Sequence, residues 1–167
     1  MHIYDESTSR RRIWRVQINW SRELTFSERQ IKFISEKVAE ARGVYCIYAK
    51  DHKFRFTSAD WPTGRWSKVV YIGSGWLNQR LCAHLAQQRN DTLAYYMKNY
   101  RLAFRCDRIV EDDLLDWPRT VEAYLLQEFE SKFGALPMAN RRRETVPKLP
   151  LDLFILNQQH FNFVARD

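Results

Sequence analysis

The chain has 167 residues, 45% of them hydrophobic, and 27 Lys and Arg against 20 Asp and Glu give a formal net charge of +7. This length and apolar content predict one domain with a core of its own and argue against a disordered chain. The sequence has no run near the roughly 18 apolar residues of a membrane span and no signal-peptide pattern, so we expect a cytoplasmic protein without a membrane segment. The positive charge favours a polyanionic partner, because binding of phosphates by Lys and Arg releases counterions.

Residues 1–42 are predicted to form an N-terminal extension of one strand and one helix that packs on the core. Between residues 10 and 20, Trp14, Val16 and Ile18 alternate with polar residues, which indicates a strand. Residues 25–28 read Thr-Phe-Ser-Glu, the form of a capping box, and apolar residues then recur at helical spacing. A helix is therefore predicted to lead up to Arg42.

Two tyrosine triplets follow, Gly43-Val44-Tyr45 and Tyr71-Ile72-Gly73. Each lies in an apolar run rich in β-branched and aromatic residues, which predicts two buried strands. The polar residues 50–68 between them contain a Trp-Pro-Thr-Gly sequence and predict a hairpin with an enlarged loop.

This inserted segment also mixes cations with aromatic rings, a composition suited to holding a nucleic-acid backbone and stacking bases. The candidate nucleic-acid-binding residues are Lys53, Arg55, Trp61, Arg65 and Trp66. The alternative is a surface loop with a small core of its own.

Residues 76–88 carry leucines at helical spacing, and Arg80 and His84 lie four residues apart on a neighbouring stripe of the same helix. Residues 101–110 alternate as a third strand. A second helix is predicted to begin after Asp116 and to end at Phe133, because Pro is favoured in a first turn and Gly just past an end.

On this last helix Glu122 shares a stripe with Leu126, Phe129 and Phe133. A carboxylate on an apolar face is costly unless it is paired or bound to a metal. Glu122 is therefore either the partner of an arginine at the edge of the core or a ligand for a hard divalent cation.

The C-terminal residues 141–167 form a basic and apolar tail of the same domain. Its first three residues, Arg141, Arg142 and Arg143, are candidate nucleic-acid contacts, whereas the earlier run at residues 10–12 fits a solvated chain end equally well. Residues 151–156 are apolar, and residues 161–163 alternate.

The cysteines Cys46, Cys82 and Cys106 are odd in number and widely spaced. We expect buried free thiols in a reducing compartment, with neither a disulfide framework nor a zinc site.

The order of these elements resembles the GIY-YIG nuclease family over residues 43–140. The resemblance implies a small α/β (α+β) domain with a three-stranded, mainly antiparallel sheet flanked by helices. It implies hydrolysis of nucleic-acid phosphodiester bonds, with DNA as partner and Mg²⁺ or Mn²⁺ as cofactor. The family's site residues correspond to Tyr45, Tyr71, Arg80, His84, Glu122 and Asn140 of this sequence.

The resemblance also implies roles for these residues. Arg80 would contact the scissile phosphate, Glu122 would bind the metal, and Asn140 would be a structural or phosphate-orienting hydrogen bonder. Tyr45 would take a proton from the attacking water, with His84 as the alternative base. Because the ordinary pKa of tyrosine is about 10, cationic Arg80 would have to favour ionisation of Tyr45.

The chain departs from the family at two points, the long connection 50–68 and Val44 in place of the usual isoleucine. Neither departure removes a chemical group. The alternative functions are a non-catalytic nucleic-acid-binding module on the same fold and, third, a protein-interaction domain. Substrate specificity, biological pathway and oligomeric state are not determined by these patterns.

Overall fold

The described residues form nine strands and four helices in a mixed α/β arrangement. The computed structural model describes residues 2–8, 11–38, 41–59, 61–86, 90–109, 116–141 and 153–159. The strands are β1 His2–Thr8, β2 Arg11–Asn19, β3 Leu24–Thr25, β4 Arg42–Ala49, β5 Phe54–Ser58, β6 Trp61–Ser67, β7 Val69–Trp76, β8 Leu102–Arg108 and β9 Leu153–Gln159. The helices are α1 Glu28–Val38, α2 Leu77–Leu85, α3 Asp91–Asn99 and α4 Trp117–Phe133.

The central sheet has the strand order β3-β8-β4-β7, and all its pairs are antiparallel. Strand β4 lies inside it and is buried from residue 43 to residue 49, as the apolar run predicts. The sheet has four strands where three were expected, because the two-residue strand β3 pairs with Phe104 and Ala103 of β8. A strand this short leaves no alternation in a sequence.

A second sheet joins the two ends of the chain in the order β1-β2-β9. The strand predicted between residues 10 and 20 is confirmed as β2, which pairs antiparallel with β1 and parallel with β9. Strand β9 takes up part of the apolar run that was noted at residues 151–156. The alternating residues 161–163 lie outside the described residues.

The segment 50–68 forms the predicted hairpin, β5 with β6, but the Trp-Pro-Thr-Gly sequence lies within strand β6 and not in an enlarged loop. Its apolar side chains pack on the helices of the domain, so the hairpin does not have a small core of its own. The Phe56 ring lies 5.3 Å from the rings of both Phe129 and Phe133 on α4. Phe54 packs at 5.2 Å from Tyr96 on α3.

Helix α4 has the predicted ends. The Asp116 side chain accepts a hydrogen bond from Arg119 N at its start, and Gly134 follows its end with φ 74°. Helix α1 ends at Val38, before the predicted approach to Arg42. Helix α3 was not predicted; it begins where the Asn90 side chain accepts a hydrogen bond from Leu93 N.

The three cysteines are free, but Cys82 is exposed, so the expectation that all three are buried holds only for Cys46 and Cys106. The helical faces explain the difference, because Cys82 follows the buried Leu81 and points away from the core. Among the described residues, no helix combines the length and apolar character needed to cross a membrane.

Candidate functional site

A cleft of about 650 Å³ lies along the outer edge of strand β7 and brings together parts of β7, α2, α4 and the turn after α4. Its charged residues are four arginines and two carboxylates, so its local charge is positive. These residues are Arg42, Arg80, Arg119, Arg141, Asp116 and Glu122. Such a volume accommodates a small ligand or one segment of a polymer.

The turn after α4 closes part of the β7 edge. Asn140 accepts a hydrogen bond from Ile72 N at 3.0 Å and donates one to Ile72 O at 2.8 Å. Ala139 N donates to Val70 O at 2.8 Å, on the same side of the strand. The main-chain N–H and C=O groups of a strand face alternate sides from one residue to the next. After Val70 and Ile72, the next residue of β7 whose main-chain groups face this edge is therefore Ser74, where the cleft begins. Asn140 therefore makes structural hydrogen bonds to β7, and it also lines the cleft.

The glycines of the two triplets are required by close packing. A Cβ atom on Gly73 would lie 2.5 Å from the Tyr45 hydroxyl, and one on Gly43 would lie 2.1 Å from the carbonyl oxygen of Asp107. Gly73 is paired directly with Tyr45 in the sheet, so its missing side chain gives the Tyr45 ring its space. The triplets thus create a buried pocket for a phenol beside the edge strand.

Tyr45, His84 and Arg80 form a buried hydrogen-bond network on this face of the sheet. The Tyr45 hydroxyl oxygen lies 2.8 Å from His84 Nε2, and the Arg80 guanidinium is a second hydrogen-bond partner of that hydroxyl. A guanidinium can only donate, so the phenol accepts from Arg80. The bond between Tyr45 and His84 runs in either direction according to the imidazole tautomer: neutral His84 accepts at Nε2 when its ring proton is on Nδ1.

Burial raises the pKa of Tyr45 well above its ordinary value, and the nearby Tyr71 adds to the rise, while Arg80 opposes it. Tyr45 is thus a neutral phenol at neutral pH, because in the free protein the effect of Arg80, which favours ionisation, does not outweigh burial. Burial works to lower the pKa of Arg80, but the charges of Tyr45, Tyr71 and Glu122 outweigh burial and leave it raised. Arg80 keeps its positive charge.

The two tyrosines differ in access to the cleft. Tyr45 has no exposed surface, whereas Tyr71 is 9% exposed and lines the cleft. The Tyr71 ring lies 4.9 Å from the His84 ring and 6.0 Å from the Tyr45 ring. Arg80 also lines the cleft, and its buried Nε atom has no hydrogen-bond partner within the described residues. Arg80 and Tyr71 are therefore the members of the cluster that a bound molecule meets first.

Glu122 approaches the cleft from the other face of the sheet. It is 7% exposed among the apolar side chains of α4, as its position on the helical stripe predicts. Its Oε2 atom accepts a hydrogen bond of 2.5 Å from Ser74 Oγ. The predicted alternatives for this carboxylate were an arginine or a metal, and the structure adds a serine hydroxyl to them.

Glu122 is the residue of the cleft that could hold a hard cation. Within the described residues, no three His, Cys, Asp or Glu side chains come together as a ready-made metal cage. Mg²⁺ is commonly held by one or two carboxylates, with waters and substrate oxygens completing its shell. Glu122 at the cleft wall could supply one such carboxylate to Mg²⁺ or Mn²⁺.

The hairpin residues do not join this cleft. Arg65 donates to the carbonyl of Lys132 at 2.7 Å and so binds the last turn of α4. Arg55 and Trp66 form a cross-strand pair, and Trp66 is exposed. Among the described side chains of the hairpin, Lys53, Arg55, Arg65 and Trp66, none lines the cleft. The Trp61 side chain, Arg142 and Arg143 lie outside the described part of the chain.

Of the basic cluster after α4, Arg141 lines the cleft and lies 3.5 Å from Asp91. Among the other lining residues, Arg42, Ser74, Trp76 and Arg119 were not predicted from the sequence as parts of the site. Spacing could have found two of them. Arg119 precedes Glu122 by one helical turn, and Trp76 precedes Arg80 by one turn. Ser74 and Arg42 depend on pairing across the sheet, which spacing alone does not show.

No protein-family model matches this chain, and no curated protein or solved structure matches it either. What the cleft does must therefore follow from its own residues.

Proposed function

We propose that this protein is a metal-dependent endonuclease of the GIY-YIG type that hydrolyses phosphodiester bonds, with DNA as its substrate. The observation that carries the proposal is the placement of Arg80 and Glu122 in one cleft on the two faces of the edge strand β7. A phosphodiester between them would meet a fixed cation on one side and a fixed carboxylate on the other.

Arg80 is proposed to bind the nonbridging oxygens of the scissile phosphate. Its charge is maintained by the surrounding tyrosines and Glu122, and its Nε donor lies buried beside the cleft. Forked guanidinium donors match phosphate oxygens and strengthen as negative charge grows in the transition state. The other three arginines of the cleft would attract the flanking phosphates.

Glu122 is proposed to hold Mg²⁺ or Mn²⁺, with Ser74 fixing the orientation of the carboxylate through Oε2. A divalent cation at this position supplies charge neutralisation at the phosphate and at the leaving oxygen. The chain's own contribution is a carboxylate that is held rigidly and shielded from bulk water.

For the proton of the attacking water we propose the Tyr45–His84 pair, with Tyr71 positioning the water at the cleft wall. Neutral Tyr45 alone is a weak base. With His84 in the tautomer that accepts at Nε2, Tyr45 can pass its proton to His84 while it accepts the proton of the water, so that His84 becomes the net proton acceptor. The ring of Tyr71 lies next to both groups.

The test is incubation of the purified protein with supercoiled, linear, branched and single-stranded DNA, in Mg²⁺ and in chelator. We expect Mg²⁺-dependent cleavage of at least one substrate, and Glu122→Gln should lower the rate at least about a hundredfold, some 2.7 kcal/mol of barrier. Binding in chelator should survive this substitution. If wild-type protein cleaves none of the substrates, or if Glu122→Gln cleaves within about tenfold of wild type, the proposal is wrong.

A non-catalytic nucleic-acid-binding module is the second candidate, favoured by the hydrogen bond that already satisfies one oxygen of Glu122. The same assay separates the two, because a binding module retains DNA in Mg²⁺ without cutting it. For either function we propose the reducing cytoplasm as the location, in keeping with three free cysteines.

A further inference from the structure

Trp76 differs from the other exposed aromatic residues in its position. Four large hydrophobic side chains are exposed among the described residues: Phe33, Trp66, Trp76 and Tyr95. Single exposed residues of this kind are ordinary on protein surfaces. Trp76, however, is the one of these four that lines the cleft.

The indole is held at the cleft wall by its neighbours. Trp76 ends strand β7 and precedes the first residue of α2, and the Arg42 guanidinium lies 5.9 Å from its ring centroid. Arg42 is itself held by an ion pair of 2.8 Å to Asp116. The indole is therefore a supported aromatic surface next to fixed charges.

Trp76 also has a defined relation to the phosphate-binding residue. Trp76 is the N-cap residue of α2 and Arg80 lies in the first turn of the same helix, and both side chains line the same cleft. A phosphate at Arg80 thus brings a base within reach of the indole.

We infer that Trp76 is a base-stacking platform, and that the substrate of the cleft has an unpaired or extruded nucleobase next to the cleaved bond. This inference rests on the proposed function of the cleft. A paired base inside a duplex offers its face to its neighbours and not to a side chain, so stacking on Trp76 requires that the base leave the stack. The preferred substrates are accordingly single strands, flaps or helices with an unpaired nucleotide.

The test measures binding in chelator with Glu122→Gln protein, so that the DNA stays intact. A set of single-stranded oligonucleotides carries one abasic site, moved along the strand by one position at a time. We expect one abasic position to weaken binding about tenfold, because the base missing at that position can no longer stack on the aromatic side chain. Trp76→Ala should weaken binding of the intact strand by a similar factor and remove the sensitivity to that position.

Trp66→Ala is the matched control, since Trp66 is 43% exposed against 45% for Trp76 but lies outside the cleft. It should keep the position-specific sensitivity. Trp76→Phe should keep part of the sensitivity, and Trp76→Leu, which retains apolar bulk without a ring, should lose it. Circular dichroism and thermal unfolding check that each variant is folded. If Trp76→Ala is not folded, the comparison of abasic-site sensitivity between Trp76→Phe and Trp76→Leu tests the inference instead.

Undiminished abasic sensitivity in Trp76→Ala or Trp76→Leu, or its loss in Trp66→Ala instead, would overturn the inference. Mg²⁺-dependent cleavage by wild-type protein is measured alongside. If cleavage is unaffected by an unpaired base or by Trp76→Ala, the stacking inference is wrong and the proposed nuclease function stands. If the wild-type protein neither binds nor cleaves DNA, both the stacking inference and the proposed nuclease function are wrong.

Discussion

The hydroxyl of Ser74 and the carboxylate of Glu122 are joined by a hydrogen bond of 2.5 Å, which connects the edge strand β7 to helix α4 at the wall of the cleft. Both side chains are nearly buried. The serine therefore fixes one carboxylate oxygen at the cleft wall, in a place where water has little access.

Removal of this hydroxyl should loosen the metal-binding carboxylate. Ser74→Ala is expected to raise the Mg²⁺ concentration at half-maximal cleavage and to lower the free energy of unfolding by about 1–3 kcal/mol, since a buried charged group loses a donor. Ser74→Thr keeps the hydroxyl and serves as the control. Mn²⁺ binding without DNA, followed by calorimetry, gives a readout independent of cleavage. Equal Mn²⁺ affinity in Ser74→Ala and wild type would show that the serine does not position Glu122 for metal.

The substitution Arg80→Lys keeps the charge but loses the fork of donors. We expect the single-turnover cleavage rate to fall by at least about tenfold, because an ammonium cannot bind two phosphate oxygens in parallel. Affinity in chelator should change less than the rate. Arg119→Lys is a control from the same cleft. A rate for Arg80→Lys equal to that of wild type would place the scissile phosphate elsewhere.

The buried phenol of Tyr45 should make the free energy of unfolding depend on pH in the alkaline range. The pKa of Tyr45 is raised by burial, so the native state holds this proton more tightly than the unfolded chain, whose tyrosines have pKa values near 10. Its contribution to stability is therefore complete below about pH 10 and is lost as pH rises towards the native pKa. Tyr45→Phe removes this contribution, so its stability should fall less steeply than that of wild type between about pH 9 and 11.

Urea unfolding at a series of pH values gives this comparison, and parallel slopes for the two proteins would contradict a raised pKa. The same variant tests the proton relay. We expect Tyr45→Phe to lower the single-turnover rate about a hundredfold or more while DNA affinity is retained. If only Tyr71→Phe lowers the rate, the phenol at the cleft wall is the base.

Substitutions of Asn140 test whether this residue stabilises the fold or takes part in cleavage. Both atoms of its amide are bonded to Ile72, so Asn140→Asp keeps the acceptor but loses the donor to Ile72 O. The expected cost is about 1–3 kcal/mol of unfolding free energy, and Asn140→Ala should cost at least as much. Below the unfolding transition, the cleavage rate per folded molecule should stay within about threefold of wild type, roughly 0.6 kcal/mol. A hundredfold loss in a stable variant would assign Asn140 to the substrate.

Local sequence patterns predicted the elements that are long or strongly periodic. The two triplet strands, β2, β8 and α4 with its Asp116 and Gly134 ends were all visible as alternation, helical spacing or capping residues. The close approach of Tyr45 to Gly73 explains why the triplet glycines carry information, but the distance itself depends on strand pairing.

The remaining features depend on partners far away in the chain. Strand β3 is too short for a pattern, and the packing of Phe54 and Phe56 from the predicted hairpin on α3 and α4 depends on the folded chain. The Ser74–Glu122 contact links residues 48 positions apart. The exposure of Cys82 and the place of Trp76 at the cleft likewise follow from how helix α2 is set against the sheet.

The hydrogen bonds of the Asn140 amide also protect the sheet edge at β7 from pairing with other chains. An open sheet edge is a template on which other chains add strands and aggregate. Asn140 and Ala139 occupy the donors and acceptors of β7 from Val70 to Ile72, much as another strand would. The turn that begins at Pro137 thus covers this part of the β7 edge. A chain truncated before Pro137 would expose the apolar strand β7 at the sheet edge, where copies of the chain could self-associate.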